Sequence, residues 1–138
     1  TDLTPSDFLG HWSIARTIED AKSASTAQFT GTAEITQGVE DWIYSEQGTL
    51  VLASGAQFVA ERMYFWRPSG AGFDVFFDDK RFFHRFDLVA AAQAQHWCDP
   101  DKYEVAYDFS RWPCWQSTWQ VSGPRKNYVM QSSYRAQD

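Results

Sequence analysis

The stretch VFFDDKRFFHRFDL (residues 75–88), followed after a short spacer by HWCDPDKY (residues 96–103), decides the fold. Apolar and charged side chains alternate on both sides of Asp78-Asp79, a pattern typical of a β-hairpin with half-buried strands. The second segment reads as a further strand that ends at the turn Asp99-Pro100-Asp101. The stretch therefore predicts consecutive antiparallel strands joined by short turns.

The position of the loop predicts which side chains of the hairpin share a face. If Asp78-Asp79 is a two-residue loop, Phe77 lies opposite Lys80, and side chains two apart on each strand point the same way. The predicted buried face then consists of Phe73, Val75, Phe77, Phe82, His84, Phe86 and Leu88. The predicted solvent face consists of Asp74, Phe76, Arg81, Phe83, Arg85 and Asp87.

The same period of two residues recurs along the rest of the chain. The predicted strands span residues 11–19, 28–36, 42–52, 57–67, 72–77, 81–88, 92–98, 103–109, 115–122 and 127–135. Before them, Thr4, Pro5 and Asp7 predict a short helical turn that ends at Gly10. Because no connection has room for a crossover helix, we predict one all-β domain over residues 1–138. Its expected form is a closed antiparallel up-and-down barrel of about 8–10 strands, with a two-sheet sandwich as the structural alternative.

Composition limits the classes of function. The chain has 138 residues with seven Trp, six Tyr and eleven Phe, which suits pleated sheets and the walls of apolar cavities. Its net charge is −6 and a basic cluster such as Arg125-Lys126 is too small to overcome it, so we expect no nucleic-acid partner. No apolar run approaches the roughly 18–20 residues of a membrane helix, and the N-terminus lacks signal-peptide features. We therefore expect a cytoplasmic protein without a membrane partner, in which Cys98 and Cys114 are free thiols.

Further motifs are spread over almost the whole chain. They are GHW (10–12), FTGTA (29–33), YSEQGTL (44–50), ERMYFW (61–66), FFDDKRFFHRFDL (76–88), HWCDPDKY (96–103), DFSRWPCW (108–115), WQVSGPRKNY (119–128) and Tyr134-Arg135. Together they resemble a bacterial family of small proteins classed as a domain of unknown function. The resemblance implies a lipocalin-like (calycin-type) β-barrel and no particular activity. This chain departs from the family pattern at Lys80, where the family favours Gly, and at Asn127, where Asp is usual.

Gly10 and Trp12 form a GxW element that is similar to the first-strand signature of the calycins. In calycins the indole closes one end of the barrel and stacks on an arginine of the last strand. The similarity therefore implies a cation–π contact between Trp12 and Arg135.

Charged residues among aromatic ones predict a polar patch inside the barrel. A barrel of this size is either filled by side chains or holds one small ligand. Arginine and tyrosine in these strands favour a ligand pocket. Glu46 and Arg62 are expected to form an ion pair between neighbouring strands. This pair could be part of the pocket, or it could be a purely structural buried salt bridge that fixes the register of the strands. We predict that a small anionic or amphipathic ligand, with a planar or acyl body, binds there without turnover. The candidate ligand-binding residues are Glu46, Arg62, Tyr64, His84, His96, Cys98, Tyr103, Trp119 and Tyr128.

Other interpretations of the same residues stay open. A small-barrel enzyme would use His84 or Tyr103 as acid or base and Arg62 to hold an anion. His96 and Cys98 share a face and, with His84 and Asp101, could bind a metal ion, or His84 could be the axial ligand of a haem. Our prediction nevertheless includes no metal and no cofactor.

Two structural questions also stay open at this stage. An interaction module would expose Phe76 and Phe83 as a homodimer patch. In the strand over residues 57–67, Tyr64 and Trp66 compete with Val59, Met63 and Phe65 for the inward face.

Overall fold

The structure, a computed structural model that describes residues 2–137, is a ten-stranded antiparallel sheet rolled into a nearly closed barrel. A 3₁₀ turn (Pro5–Phe8) precedes β1 (Gly10–Asp20), β2 (Ser25–Thr36), β3 (Trp42–Val51), β4 (Gln57–Ser69), β5 (Gly72–Phe77), β6 (Phe82–Asp87), β7 (Ala91–Cys98), β8 (Asp101–Arg111), β9 (Cys114–Ser122) and β10 (Asn127–Ala136). The strand order is β6-β5-β4-β3-β2-β1-β10-β9-β8-β7. The predicted all-β, up-and-down barrel with a short N-terminal helical turn is confirmed, at the upper end of the expected strand number.

The wall of the barrel has a seam between β6 and β7. Across residues 2–137 no backbone ladder joins these two strands, which are the edges of the sheet. Aromatic rings lie across the seam instead: the ring centroids of Phe83 in β6 and His96 in β7 are 5.5 Å apart, and Phe86 in β6 packs against Tyr107 of β8 at 4.2 Å. Side-chain packing therefore takes the place of backbone hydrogen bonds at this point.

The 3₁₀ turn closes one end of the barrel. The backbone N–H of Thr4 donates to Asp7 Oδ2 at 2.8 Å, and the N–H of Asp7 donates to Thr4 O at 3.0 Å, which holds the turn. Phe8 is fully buried, and Trp12 Nε1 donates to its carbonyl at 3.0 Å. We call this side the closed end; the loops after β1, β3 and β9 form the opposite, open end.

The contact expected between Trp12 and Arg135 is not formed. Trp12 lies opposite Ala136 in the β1–β10 ladder, so strand alternation points Tyr134 inward and leaves Arg135 exposed. The Trp12 ring packs instead against Trp112 and Trp115, with centroid distances of 5.4 and 5.7 Å. The indole keeps the expected position but has aromatic neighbours.

The hairpin between β5 and β6 has a three-residue loop, not the predicted two-residue one. The N–H of Phe77 donates to Arg81 O at 2.8 Å, and the N–H of Lys80 donates to Phe77 O at 2.9 Å. The positive φ falls on Lys80, at 74°, which is the position where the resembling family favours Gly. The lysine ammonium lies 3.7 Å from the ring centroid of Phe65 and 2.8 Å from Asp41 Oδ2.

A register shift next to this loop overturns part of the predicted face assignment. Val75 pairs with His84 but Phe76 pairs with Phe82, which leaves Phe83 as an extra residue in β6. Phe83 and His84 are consequently both buried, at 0% and 2% exposure, while Phe82 is 50% exposed. The prediction was right for His84 and wrong for Phe82 and Phe83. Because Phe83 is inside the barrel, it cannot belong to an exposed dimer patch.

The inward face of β4 is the one that contains Tyr64 and Trp66. Trp66 is buried and Tyr64 partly buried, whereas Val59 and Met63 are 82% and 36% exposed. β5 pairs only with residues 64–69 of β4, because the β5–β6 hairpin is short. Residues 57–63 of β4 therefore have ladder partners on β3 alone, and the wall is incomplete beside them.

Candidate functional site

A buried ion pair lies in the middle of the barrel. Arg16 of β1 makes a bidentate contact with Glu46 of β3, with Nη1–Oε2 and Nη2–Oε1 distances of 2.7 and 2.9 Å. Arg16 Nε donates to Ser132 Oγ at 2.6 Å. The hydroxyl of Tyr44 donates to Glu46 Oε1 at 2.6 Å and lies 2.8 Å from the hydroxyl of Tyr134. Hydrogen bonds therefore satisfy both charges on several sides.

The environment of this pair keeps both members charged. Burial alone would raise the pKa of Glu46, but the hydrogen bond and charge of Arg16 hold it below its ordinary value. Burial opposes the charge of Arg16, yet Tyr134 and Glu46 outweigh burial and raise its pKa. The pKa of Tyr44 is raised well above its ordinary value by burial. The cluster offers no free acid or base near neutral pH.

The ion pair corrects the prediction that Glu46 pairs with Arg62. The register is as expected, since Glu46 and Arg62 are direct partners in the β3–β4 ladder. The carboxylate is nevertheless bonded to Arg16, which lies two strands away and is itself buried. A buried carboxylate is best compensated by a cation that shares its dry environment, while Arg62 is exposed to water.

His84 forms a second polar element of the interior. Its Nε2 lies 2.8 Å from the hydroxyl of Tyr107. Burial, with a smaller effect of the charge on His96, lowers the pKa of His84 to about 3, so the ring is neutral at pH 7. Within residues 2–137, His84 Nδ1 and Trp115 Nε1 are the buried side-chain nitrogens that lack a hydrogen-bond partner.

We expect this neutral buried histidine to make the free energy of unfolding fall on acidification, beginning at pH values above those at which carboxylates titrate. Its folded pKa of about 3 is below the ordinary 6.5, so the unfolded chain binds more protons between these values. The stability contribution is complete above pH 6.5 and is lost as pH falls towards 3. When the pH is lowered from 6 to 5, the free energy of unfolding measured in urea should fall by about 1 kcal/mol more for the wild type than for His84→Gln. Parallel pH profiles for the two proteins would contradict this.

The unpartnered nitrogens of His84 and Trp115 belong to residues that line one interior cavity. Its volume is about 30 Å³. That is enough for about two water molecules and far below a typical ligand pocket of several hundred Å³. The lining residues are Arg16, Tyr44, Glu46, Arg62, Tyr64, Trp66, Val75, Phe83, His84, Tyr107, Trp115, Ser117, Trp119 and Tyr134. Side chains thus fill most of the barrel, and the cavity extends from its centre towards Arg62.

Arg62 lies where this cavity approaches the open end. It is exposed, on the inward face of the part of β4 that lacks a β5 neighbour, and its guanidinium is 5.9 Å from the ring centroid of Trp119. Among residues 2–137 no carboxylate forms an ion pair with it. Tyr64 is adjacent on the same face, where burial raises its pKa against the opposing charge of Arg62.

The predicted site residues divide into two groups. Glu46, Arg62, Tyr64, His84 and Trp119 line the common cavity. The other four do not line it, and they are His96, Cys98, Tyr103 and Tyr128, all partly buried. The convergence that strand spacing suggested is therefore only partial.

The ring of Phe83 packs against His84 and against two residues of the second group, His96 and Tyr103. Its centroid is 4.3 Å from that of His84, 5.5 Å from His96 and 5.4 Å from Tyr103. The tyrosine bonded to His84 is Tyr107, and Tyr103, the other acid or base of the enzyme interpretation, lies on the opposite side of Phe83. The bulge that buries Phe83 is the physical reason.

The metal and haem interpretations also lack their geometry. In the part of the chain from residue 2 to 137, no three His, Cys, Asp or Glu side chains are placed to hold a metal ion. His84 Nε2 is engaged by Tyr107, and a cavity of about 30 Å³ is far too small for a haem. Cys98 and Cys114 are free thiols, as predicted.

Several lining residues were missing from the predicted site. They are Arg16, Tyr44, Trp66, Val75, Phe83, Tyr107, Trp115, Ser117 and Tyr134. Strand alternation gave a usable signal for most of them, since Tyr44 shares a face with Glu46, and Trp115 and Ser117 share one with Trp119. Phe83 had no such signal, because the bulge turns its side chain to the face opposite to the one that alternation predicts.

Fold and site together define a small ten-stranded barrel of the lipocalin-like type. It contains a buried ion pair, a narrow cavity and, towards its open end, an arginine that forms no ion pair within residues 2–137. The model of a family described as "Family of unknown function (DUF6314)" matches residues 8–136, and the chain belongs to this family. A comparison with curated proteins finds no match. Among residues 2–137, no helix is long and apolar enough to cross a membrane.

Two solved structures have a similar fold. The S-type phycobiliprotein lyase CPES from Guillardia theta is 8% identical, with a TM-score of 0.62 over 96% of this chain and 89% of that one. A protein of unknown function from the DUF3598 family of Nostoc punctiforme is 12% identical, with a TM-score of 0.62 over 96% of this chain and 48% of that one. This chain therefore spans about half the length of the second protein. At such identities the likeness concerns the fold.

Proposed function

We propose that the protein binds a small amphipathic anion at the open end of its barrel, without turnover, and that Arg62 holds the acidic group. The observation that supports this most strongly is the state of Arg62. It is a cation on the inward face of the barrel, next to an aromatic ring, and it forms no ion pair among residues 2–137. A charge at this place is explained by an anionic partner that arrives from solution.

The surroundings of Arg62 suit the apolar body of such a ligand. Trp119 lies under the guanidinium, and its ring centroid is 6.0 Å from that of Tyr64. Phe58, on the same face of β4 and nearer its start, is 53% exposed. Residues 57–63 have no strand on the β5 side, which leaves lateral access to these rings. Aromatic walls with one fixed charge are typical of sites for acyl or planar acids.

The size of the interior cavity determines how such a ligand would lie. With about 30 Å³ available, the body has to occupy the open end, and only a terminal group can enter the centre. The structural relative named as a phycobiliprotein lyase has a similar barrel fold. The proposed ligand class does not depend on that likeness, since it follows from Arg62 and the aromatic rings beside it. We further propose the cytoplasm as the location, in keeping with two free thiols.

Isothermal titration calorimetry with decanoate, 2-naphthoate and 1-decanol tests the proposal. We expect both anions to bind, and Arg62→Met to weaken them about tenfold, because a charge-assisted hydrogen bond is lost. The neutral alcohol should be insensitive to this substitution. Arg135→Met is the matched control, since it removes an equal charge from an exposed side chain outside the cavity. The proposal is contradicted if neither anion binds, or if both arginine variants weaken binding equally.

A further inference from the structure

We propose that the central cavity is a subsite for a neutral hydrogen-bond acceptor, such as a ketone or amide carbonyl, at the far end of the ligand. The oxygen would be received by Trp115 Nε1–H and His84 Nδ1–H. The inference rests on the proposed function, because it assigns the second polar group of the same ligand.

Two buried residues that each have an unsatisfied nitrogen line the same cavity. His84 is 2% and Trp115 1% exposed, both line the cavity, and each keeps a nitrogen without a partner among residues 2–137. Leaving a buried donor unpaired costs about 1–3 kcal/mol, so two of them on one small cavity favour a partner inside it.

The chemistry of these two nitrogens determines what kind of partner they need. An indole N–H can only donate a hydrogen bond. The hydroxyl of Tyr107 has His84 Nε2 as its sole hydrogen-bond partner within residues 2–137, at 2.8 Å. We therefore assign the hydroxyl as the donor and Nε2 as the acceptor of this bond. The neutral imidazole then has its own proton on Nδ1. Both free nitrogens are therefore donors, and their missing partner is an acceptor.

The charges around the cavity favour a neutral group over a carboxylate. Arg16 and Glu46, the charged groups at the centre, neutralise each other through the bidentate contact. His84 is neutral at pH 7. A carboxylate placed beside His84 and Trp115 would meet N–H dipoles alone, because Arg62, the remaining cation of the lining, lies towards the open end; an uncompensated carboxylate is costly in an apolar interior. A neutral carbonyl obtains its two hydrogen bonds there at a much lower desolvation cost.

The size of the cavity limits which group can enter it. The cavity of about 30 Å³ accepts roughly the two heavy atoms of a carbonyl group and excludes a ring. Arg62 lines the same cavity from the open end. The ligand class that satisfies both sites is thus an acid with an acyl or planar body and a neutral acceptor at its opposite end.

The test compares decanoate with 9-oxodecanoate, whose flexible chains adapt to the spacing between Arg62 and the cavity. We expect the oxo acid to bind about tenfold more tightly, because its carbonyl gains two donors. Without the subsite, burying an unpaired carbonyl would make the oxo acid bind equally or more weakly. Arg62→Met should weaken both acids by the same factor and leave their ratio unchanged.

Nuclear magnetic resonance of the wild-type protein gives a readout that needs no variant. The Trp115 indole N–H resonance should move downfield with 9-oxodecanoate and stay in place with decanoate. Trp115→Phe should bring the affinity ratio close to one. If both acids bind with Arg62 dependence but equal affinity and an unchanged indole resonance, the subsite is wrong and the proposed function stands. If neither acid binds, the proposed function itself fails and the subsite with it.

Discussion

Replacing Arg16 by Met is expected to lower the free energy of unfolding by about 3–5 kcal/mol, because it leaves the carboxylate of Glu46 buried without its counter-ion. Glu46 is only 3% exposed and receives two hydrogen bonds from Arg16. Tyr44 remains as a donor to Oε1, but a single hydroxyl does not compensate a buried charge. Urea unfolding at pH 7, followed by tryptophan fluorescence, measures the loss.

Two further variants separate this effect from the mere loss of a positive charge. Arg135→Met removes an exposed guanidinium and should change the free energy of unfolding by less than about 0.5 kcal/mol. The double variant Arg16→Met/Glu46→Gln removes the unpaired charge, so it should recover a large part of the loss. Equal losses for Arg16→Met and Arg135→Met, or no recovery in the double variant, would show that the pair is not the stabilising contact described here.

The architecture followed from the sequence because strand alternation is a local property. In the strand predicted over residues 11–19, Trp12, Ile14 and Arg16 stand two apart and therefore share a face, and all three are buried. The number and order of strands followed in the same way, since short turns leave only neighbours to pair. Each of these inferences needs no knowledge of distant residues.

The contacts of the site were harder to predict, because they join residues far apart in the chain. Alternation placed Glu46 on the inner face but could not show that Arg16, two strands away, would reach it before Arg62. Likewise alternation relates Trp115 to the face of Trp119, but it could not reveal that the indole nitrogen of Trp115 lacks a partner. Such contacts depend on how far a side chain extends across the curved sheet. The alternation of side chains along a strand contains no information about that distance.

The predicted faces of the hairpin were partly wrong for a different reason, because β6 contains one inserted residue. Asp78-Asp79 was a weak turn signal, and positive φ fell on Lys80 instead. One extra residue in β6 then exchanged the faces of Phe82 and Phe83, while His84, beyond the bulge, stayed as predicted. The same bulge places the Phe83 ring between His84 and the residues His96 and Tyr103, so it also decides the composition of the site.

Phe82 and Phe83 allow a direct test of this bulge, because adjacent residues of the same type should respond in opposite ways. Phe83→Ala is expected to lower the free energy of unfolding by about 3–5 kcal/mol, since it empties a fully buried position. The lost ring stacks on Phe77 at a centroid distance of 4.4 Å and spans the β6–β7 seam to His96. Phe82→Ala should cost less than about 1 kcal/mol, because that ring is half exposed and contacts Phe76 by its edge. Urea unfolding of the two variants at pH 7 measures the difference. Without the bulge, strict alternation would reverse the order of the two losses, so a larger loss for Phe82→Ala would contradict the register of β6.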